Sequence, residues 1–392
     1  MSQERMLAAV DAAADELIEI SRDIHAHPEL AFEEYHAAGR LTDAMAARGL
    51  DVARGAYGLP TAFEVEFGSG DGPCVALLAE YDALPGIGHA CGHNLIATAA
   101  LGAAFALQAL GSALPGRVRL LGTPAEEKGG GKELMARAGA FDGVDAALMI
   151  HPSGINLVTM PCLCYADVRV VYHGRSAHAS AMPHKGINAL DGLLLAYQAI
   201  SNLRQHIRGT ERIHGIVTDG GQAPNIVPDR AEGEFYVRAA TAAHLEALKP
   251  RVQACFEAGA KGSGCELELF WGDVDYLDLN TNWPLAGRFQ QHAEALGREF
   301  FPLEKLGVGG AGSTDMGNVS QRVPSIHPML AAAPRNVVIH HPDFARYAGS
   351  EMGDAAALDG ARTLALTAYD FLAEADLRAE VVKAFRVAKG LA

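Results

Sequence analysis

The sequence predicts an α/β protein built on a mostly parallel sheet and interrupted by a smaller α+β domain. Three observations carry this. Apolar, strand-like runs alternate with helix-like stretches over the first part of the chain. After about residue 164 the order changes to strand, helix, two strands, helix, strand. A length of 392 residues exceeds one ordinary core, so two domains are expected.

In chain order, apolar periodicity predicts helices over 2–25 and 33–49. "CVALLAE" (74–80) reads as a buried strand, 95–110 as a helix and "RVRLLGT" (117–123) as a strand. A helix over 129–139 and a strand "DAALMIH" (145–151) follow. This βαβαβ order implies a parallel sheet with helices on both faces. Next come a strand "YADVRVVYHG" (165–174), a helix over 187–207, and strands "RIHGIVTDG" (212–220) and "RAEGEFYVRA" (230–239). A helix over 241–259 and a strand "CELELFWG" (265–272) complete a ferredoxin-like βαββαβ order. The alternating character then returns: a helix at 282–297, a Gly-rich loop "GVGGAGSTDMG" (307–317), a short strand "NVVIH" (336–340) and a helix over 350–374. The expected organisation is one domain from 1–164 and 275–392, with 165–274 inserted. Insertion is tolerated where strand ends lie close together at the surface.

Composition bounds the function. Apolar residues make up 49% and charged residues 20%, an ordinary globular profile. The net charge of −15 opposes non-specific nucleic-acid binding, which needs a basic face. The 6 cysteines form no dense framework and read as reduced thiols of a cytoplasmic protein. Cys162 and Cys164 lack zinc-ribbon partners and read as packing. The N-terminal stretch carries acids throughout, as an amphipathic helix does and a signal peptide does not. The longest apolar stretch, "LIATAALGAAFALQAL", has 16 residues, short of a membrane span.

In open parallel sheets, ligands bind beyond the carboxyl ends of the strands. Polar residues collect there in this chain: Glu80 and Asp82 after the first strand, Glu126 and Glu127 after the second, His151 after the third. His340 and His341 follow "NVVI". The loop "HACGH" (89–93) leads from the first strand towards a helix on the same edge. An acid after a strand is commonly a solvated loop residue, and a lone histidine commonly a structural one. Their joint occurrence with Cys91 and His93 suits a borderline-soft transition metal. More than four such ligands point to two metals sharing a water. Of the adjacent pair Glu126-Glu127, one carboxylate can bind metal while the other moves a proton. An alternative makes Cys91 a nucleophile activated by a histidine, but leaves His151, Glu127 and His340 without a task.

These stretches resemble a known group: the aminoacylase/carboxypeptidase/amidohydrolase set of metallopeptidase family twenty, in its cysteine-ligand subfamily. "HPELAFEE" (27–34) is similar to its opening helix signature, and "EYDALPGIGHACGHN" (80–94) to its first metal motif. "GTPAEEKGGG" (122–131) resembles the catalytic glutamate motif. "GRSAHASAMPHKGINAL" (174–190) and "GGQAPNIVPDRAEGEFYVR" (220–238) resemble the lid, and "GSTDMGN" (312–318) and "HHPDF" (340–344) the last two motifs. The resemblance implies a zinc-peptidase-like α/β/α catalytic domain with a ferredoxin-like lid that pairs two subunits into a homodimer. It implies Cys91, His93, Glu127, His151 and His340 as ligands of two divalent ions, Zn²⁺ or Mn²⁺, with His341 an alternative to His340. It implies Glu126 as general acid/base and Asp82 as the group orienting a ligand imidazole. In the lid, His178 would cross to the partner subunit's cleft and steady the oxyanion there, and Asn225 and Arg238 would hold a substrate carboxylate.

Two departures refine this. Asn94 stands where the family has an aspartate after "CGH", and Met316 follows Asp315 where the family has "EDF". "GHACGHN" with "GSTDMGN" resembles the aminobenzoyl-glutamate and β-alanyl-dipeptide hydrolases. The implied activity is hydrolysis of the amide of small N-acyl amino acids or dipeptide-like substrates. A broader aminoacylase or hippurate- or auxin-conjugate-type hydrolase is the alternative, and a non-catalytic metal-binding protein the rival from another class. "GGGKE" (129–133) lacks the Ser or Thr of a phosphate loop, and "GVGGAG" (307–312) lacks a dinucleotide setting, so both read as tight turns. His184, His206, His214, His244 and His292 receive no role.

Overall fold

The computed structural model describes residues 2–68, 70–306 and 312–391, so the glycine-rich turn expected over 307–312 lies almost wholly outside the described residues. The chain forms two compact units, Met1–Pro161 with Leu279–Ala392, and Cys162–Asp278.

The first unit holds a six-stranded sheet in the order Ala53–Arg54, Phe63–Gly68, Arg117–Thr123, Cys74–Glu80, Ala146–Leu148, Ser325–Ile326. The last four run parallel, and Phe63–Gly68 is antiparallel to Arg117–Thr123. The Cys74–Glu80 strand is buried at every position, which its unbroken apolar run requires of a strand covered on both faces. Phe63–Gly68 was not expected. Its signal is plain in retrospect: Phe63, Val65 and Phe67 face the core while Glu64 and Glu66 do not. The Ala-rich helix His93–Gln108 is buried almost all round. It packs on the Cys74–Glu80 strand and against the helices Ala14–Ala26 and Glu351–Ala373, and small side chains permit that crowding.

Three expectations are corrected. The helix over 2–25 is two helices, Ser2–Ala12 and Ala14–Ala26, broken at Ala13. The strand over 145–151 divides: Ala146–Leu148 stays in the main sheet, and His151–Ser153 pairs with Met329–Ala331. No strand forms over 336–340. Val338 is 64% exposed, while Val337 and Ile339 pack on the cluster that includes Leu95, Ala332 and Phe344, so the run is held by side chains rather than by a strand partner. The His340 amide donates to the Ala90 carbonyl at 2.9 Å, which fastens this segment to the "HACGH" loop.

The second unit is a four-stranded antiparallel sheet, ordered Glu266–Trp271, Cys164–His173, Arg230–Ala239, Arg212–Asp219. The helices Ala189–Leu203 and Ala242–Ser263 cover it, around a separate core that includes Leu193, Phe235 and Phe256. This is the ferredoxin-like order. Among the described residues, no helix is long and apolar enough to cross a membrane.

Candidate metal centre

Local backbone geometry explains how residues two apart in sequence converge. Gly92 lies between Cys91 and His93 with φ +77 and forms the N-cap of the His93–Gln108 helix. A side chain there would collide with Pro152 and Phe344. The left-handed glycine turns the chain so that Cys91 and His93 both point inward, which an i, i+2 pair on a helix cannot do. The next strand ends in a similar turn. Ala125 is left-handed at φ +62, a conformation costing a non-glycine residue ~1–2 kcal/mol, and it turns the chain just before Glu126 and Glu127, which fall in different donor groups.

Two groups of donor atoms result, each lying within 4.8 Å: Cys91, His93 and His151, and Cys91, Glu127 and His340. They share Cys91. Its sulfur is 3.4 Å from His151 Nε2. Glu127 Oε1 is 3.3 Å from His340 Nε2 and 3.7 Å from His93 Nε2. His341 instead turns its Nδ1 to accept the Asp343 amide, capping the helix Pro342–Ala348. Asp82 ties the groups together: one oxygen meets His93 Nδ1 at 3.0 Å, and the other accepts the Glu127 amide at 2.9 Å. His151 Nδ1 sits 2.7 Å from the Pro152 carbonyl, which fixes it as the N–H and leaves Nε2 for a cation.

The donor set fits a divalent metal. His93 Nε2 lies 3.0 Å from Glu80 Oε1, and Glu127 Oε1 3.3 Å from His340 Nε2, close enough for ion pairing but without well-aligned hydrogen bonds. Burial opposes a charge on His93, yet Glu80, Cys91 and Asp82 raise its pKa well above the ordinary range. Burial pushes the Cys91 thiol well up and His151 down to about 3. The cluster therefore favours positive charge at its centre, while its thiol ionises only beside a cation. Glu126 is nearly buried and lies within 4.8 Å of both Glu80 and His93. Burial, then the charges of Glu80, Glu127 and Asp315, raise its pKa well above the carboxylate range.

Sequence reasoning missed part of the surroundings. Lys132, in the first turn of the helix Gly131–Arg137 rather than in the tight turn expected for "GGGKE", is wholly buried and pairs with Glu80 and, at 2.8 Å, with Asp315. Its own amide also donates to Asp315 at 2.9 Å. His327 is fully buried 5.5 Å from the His151 ring, with both ring nitrogens lacking partners. No motif flagged it. Asn94 has a clear reason to be neutral: its Nδ2 donates to Ser21 Oγ and to the Ala348 carbonyl, each at 3.0 Å. An aspartate there would set a buried charge against the Ala348 carbonyl, so a neutral donor suits this packing.

The remaining expected residues lie in the second unit. His178 is exposed, with its Nδ1 accepting the Ala181 amide at 3.2 Å. The Asn225 carbonyl accepts the Ala179 amide at 3.0 Å, which places Asn225 beside it. Arg238 lies over Tyr165 and Tyr236 and reaches His214, so that histidine, given no role from sequence, is its partner.

A thiol, imidazoles and carboxylates gathered at the strand ends, beside a further buried glutamate, define a metal-dependent hydrolase. The comparisons agree. Residues 76–368 match the profile of peptidase family M20/M25/M40, and the chain belongs to this family of metal-dependent peptidases and amidohydrolases. It is 40% identical to a Xaa-Arg dipeptidase of Mus musculus, over 98% of this chain and 92% of that protein. It is 36% identical to one of the subunits of the p-aminobenzoyl-glutamate hydrolase of Escherichia coli, over 64% of this chain and 56% of that one. Among solved structures it superposes on a dinuclear metal-binding peptidase of Bacillus subtilis with a TM-score of 0.68 at 23% identity, covering 92% and 99% of the two chains.

Proposed function

We propose that this protein is a dinuclear-metal dipeptidase, cleaving the amide of small dipeptide-like substrates that carry a free carboxylate. The observation that carries the reading is the pair of donor groups sharing Cys91, with Glu126 beside them. Cys91, His93 and His151 would hold one ion, and Cys91, Glu127 and His340 the other. When bound, such ions polarise an amide carbonyl and acidify water. Glu126 takes the proton from the attacking water and delivers it to the leaving nitrogen, because an amine departs poorly unprotonated. Asp82 keeps the His93 imidazole in the tautomer that frees Nε2. His178 donates to the oxyanion, and Asn225 and Arg238 hold the carboxylate. The similarity to a Xaa-Arg dipeptidase spans nearly the whole chain, and a net charge of −15 suits a cationic side chain on the substrate. Aminobenzoyl-glutamate is the second reading, on the strength of the Escherichia coli relative.

The test is turnover of Xaa-Arg and β-alanyl dipeptides, aminobenzoyl-glutamate and N-acyl glycines, by chelated protein and after adding Zn²⁺ or Mn²⁺. We expect chelation to abolish turnover and kcat/KM to favour the dipeptides by about tenfold or more. Preference for aminobenzoyl-glutamate would overturn the substrate. No turnover with any metal would leave a metal-binding protein without catalysis.

We further propose that the second unit pairs with a second copy. The Arg212–Asp219 strand is a sheet edge, with Ile216 63% and Val217 42% exposed. Leu194 and Leu195 on the Ala189–Leu203 helix are about half exposed. An open edge carrying apolar side chains invites strand pairing. Sedimentation should show a dimer, and Ile216→Lys should shift it towards monomer. A wild-type protein that sediments only as monomer removes this reading.

A further inference from the structure

The "HPELAFEE" segment contains none of the proposed ligands, yet it touches two of the segments that carry them, the one before His93 and the one around Glu127. The Glu29 carbonyl accepts the Ala83 amide at 2.8 Å, next to Asp82. Its carboxylate accepts the His36 and Ala37 amides, which fixes the start of the helix Tyr35–Ala46 directly after Glu34. Phe32, itself at φ +65, lays its ring where any side chain on Gly129 would stand. Glu34 is fully buried. One of its oxygens accepts the Thr61 hydroxyl at 2.8 Å, and the other accepts the Ala125 amide at 2.8 Å.

The other side of Ala125 is held as well. Its carbonyl accepts the Gly130 and Gly131 amides at 3.0 and 3.3 Å. Alanine does not adopt a left-handed backbone unaided, so something must hold it there. Glycine would need no such help, yet the chain has alanine and a buried carboxylate instead. We propose that Glu34 is a positioning residue: by clamping the Ala125 amide it fixes the left-handed turn that aims Glu126 at the reacting atoms, while Glu127 is held separately through its own amide's bond to Asp82. This rests on Glu126 being the proton-moving group.

The experiment compares Glu34→Ala, Glu34→Gln and the pair Glu34→Ala/Ala125→Gly, using the metal-loaded enzyme. Glu34→Ala should lower kcat about 10- to 100-fold, the usual effect of a small misplacement, with KM within about twofold. Metal per chain, by elemental analysis, should stay at the wild-type value. Glu34→Gln keeps an oxygen for the Ala125 amide while its amide group can donate to Thr61, so it should retain most of kcat. Ala125→Gly should recover much of the loss in Glu34→Ala, because glycine adopts the turn without a clamp. Amide hydrogen exchange over residues 124–131 should accelerate in Glu34→Ala and not in Glu34→Gln. This readout needs no turnover, so it tests the clamp even if wild-type protein proves inactive and the proposed function fails. If Glu34→Ala does not fold, Thr61→Val frees one side of the carboxylate and should lower kcat severalfold at constant KM. The inference is overturned by unchanged exchange, by kcat near wild type in Glu34→Ala (or in Thr61→Val where that variant stands in), or by loss of metal together with kcat. It is equally overturned if Ala125→Gly restores nothing.

Discussion

Glu126→Gln is expected to lower kcat by about 10²- to 10⁴-fold, the range for loss of a general acid/base, with both metals retained. The side chain is 7% exposed and surrounded by Glu80, Glu127, Asp315 and His93. Glutamine keeps its volume and its hydrogen-bonding reach but cannot carry a proton between water and amine. KM should change little, since the carboxylate acts on the transition state more than on bound substrate. The neighbouring Glu127→Gln provides the contrast. It removes a donor 3.3 Å from His340 Nε2, so metal content should fall with activity. Adjacent residues would thus fail in different ways, because Glu126 lies with Glu80 and His93 while Glu127 lies with Cys91 and His340. A Glu126→Gln enzyme with near-normal kcat and intact metals would falsify the assignment of the proton-moving role.

What the sequence discloses here depends on whether a residue's task follows from local chain direction. Parallel strands deliver their last residues to one edge, so Asp82, Glu126, Glu127 and His151 could be placed together before any coordinates. Cys91 and His93 stood out because one of only 6 cysteines lies between two histidines, His89 and His93. His340 was singled out on a wrong structural expectation: the strand expected before it does not exist, and a backbone bond to Ala90 positions it instead. The charge network behind the ligands was not legible. Lys132 and Asp315 are 183 residues apart, and neither spacing nor periodicity links them. Lys132 also follows a glycine run, at the start of the helix Gly131–Arg137, whose obvious comparison, a phosphate loop, misdirects. His327 lies between two very short strands, where a single imidazole gives no pattern at all. The strand Phe63–Gly68 is a different kind of omission, since its alternation was visible.

Lys132→Met is expected to destabilise the protein by ~3–5 kcal/mol, the cost of leaving buried charges without their partner. Lys132, Glu80 and Asp315 are each wholly buried. Burial works against the lysine charge, but Asp315 and Glu80 outweigh it and raise the pKa. Burial raises the pKa of Glu80 and Asp315 even with the lysine present. Without it they would be raised further and take up protons. The folded variant would then bind more protons than the unfolded chain, so its stability should grow as pH falls. The gap in apparent Tm between wild type and Lys132→Met should therefore narrow from about pH 8 to about pH 5. Adding Glu80→Gln to the variant removes one of the two stranded charges and should recover part of the loss, a coupling that independent sites would not show. Methionine matches the lysine stem in length and fills the same space, so a packing defect contributes little. A deficit that is the same at every pH and is not relieved by Glu80→Gln would mean that Lys132 acts through shape alone. The anionic cluster beside the proposed metal centre would then be balanced by something other than this lysine.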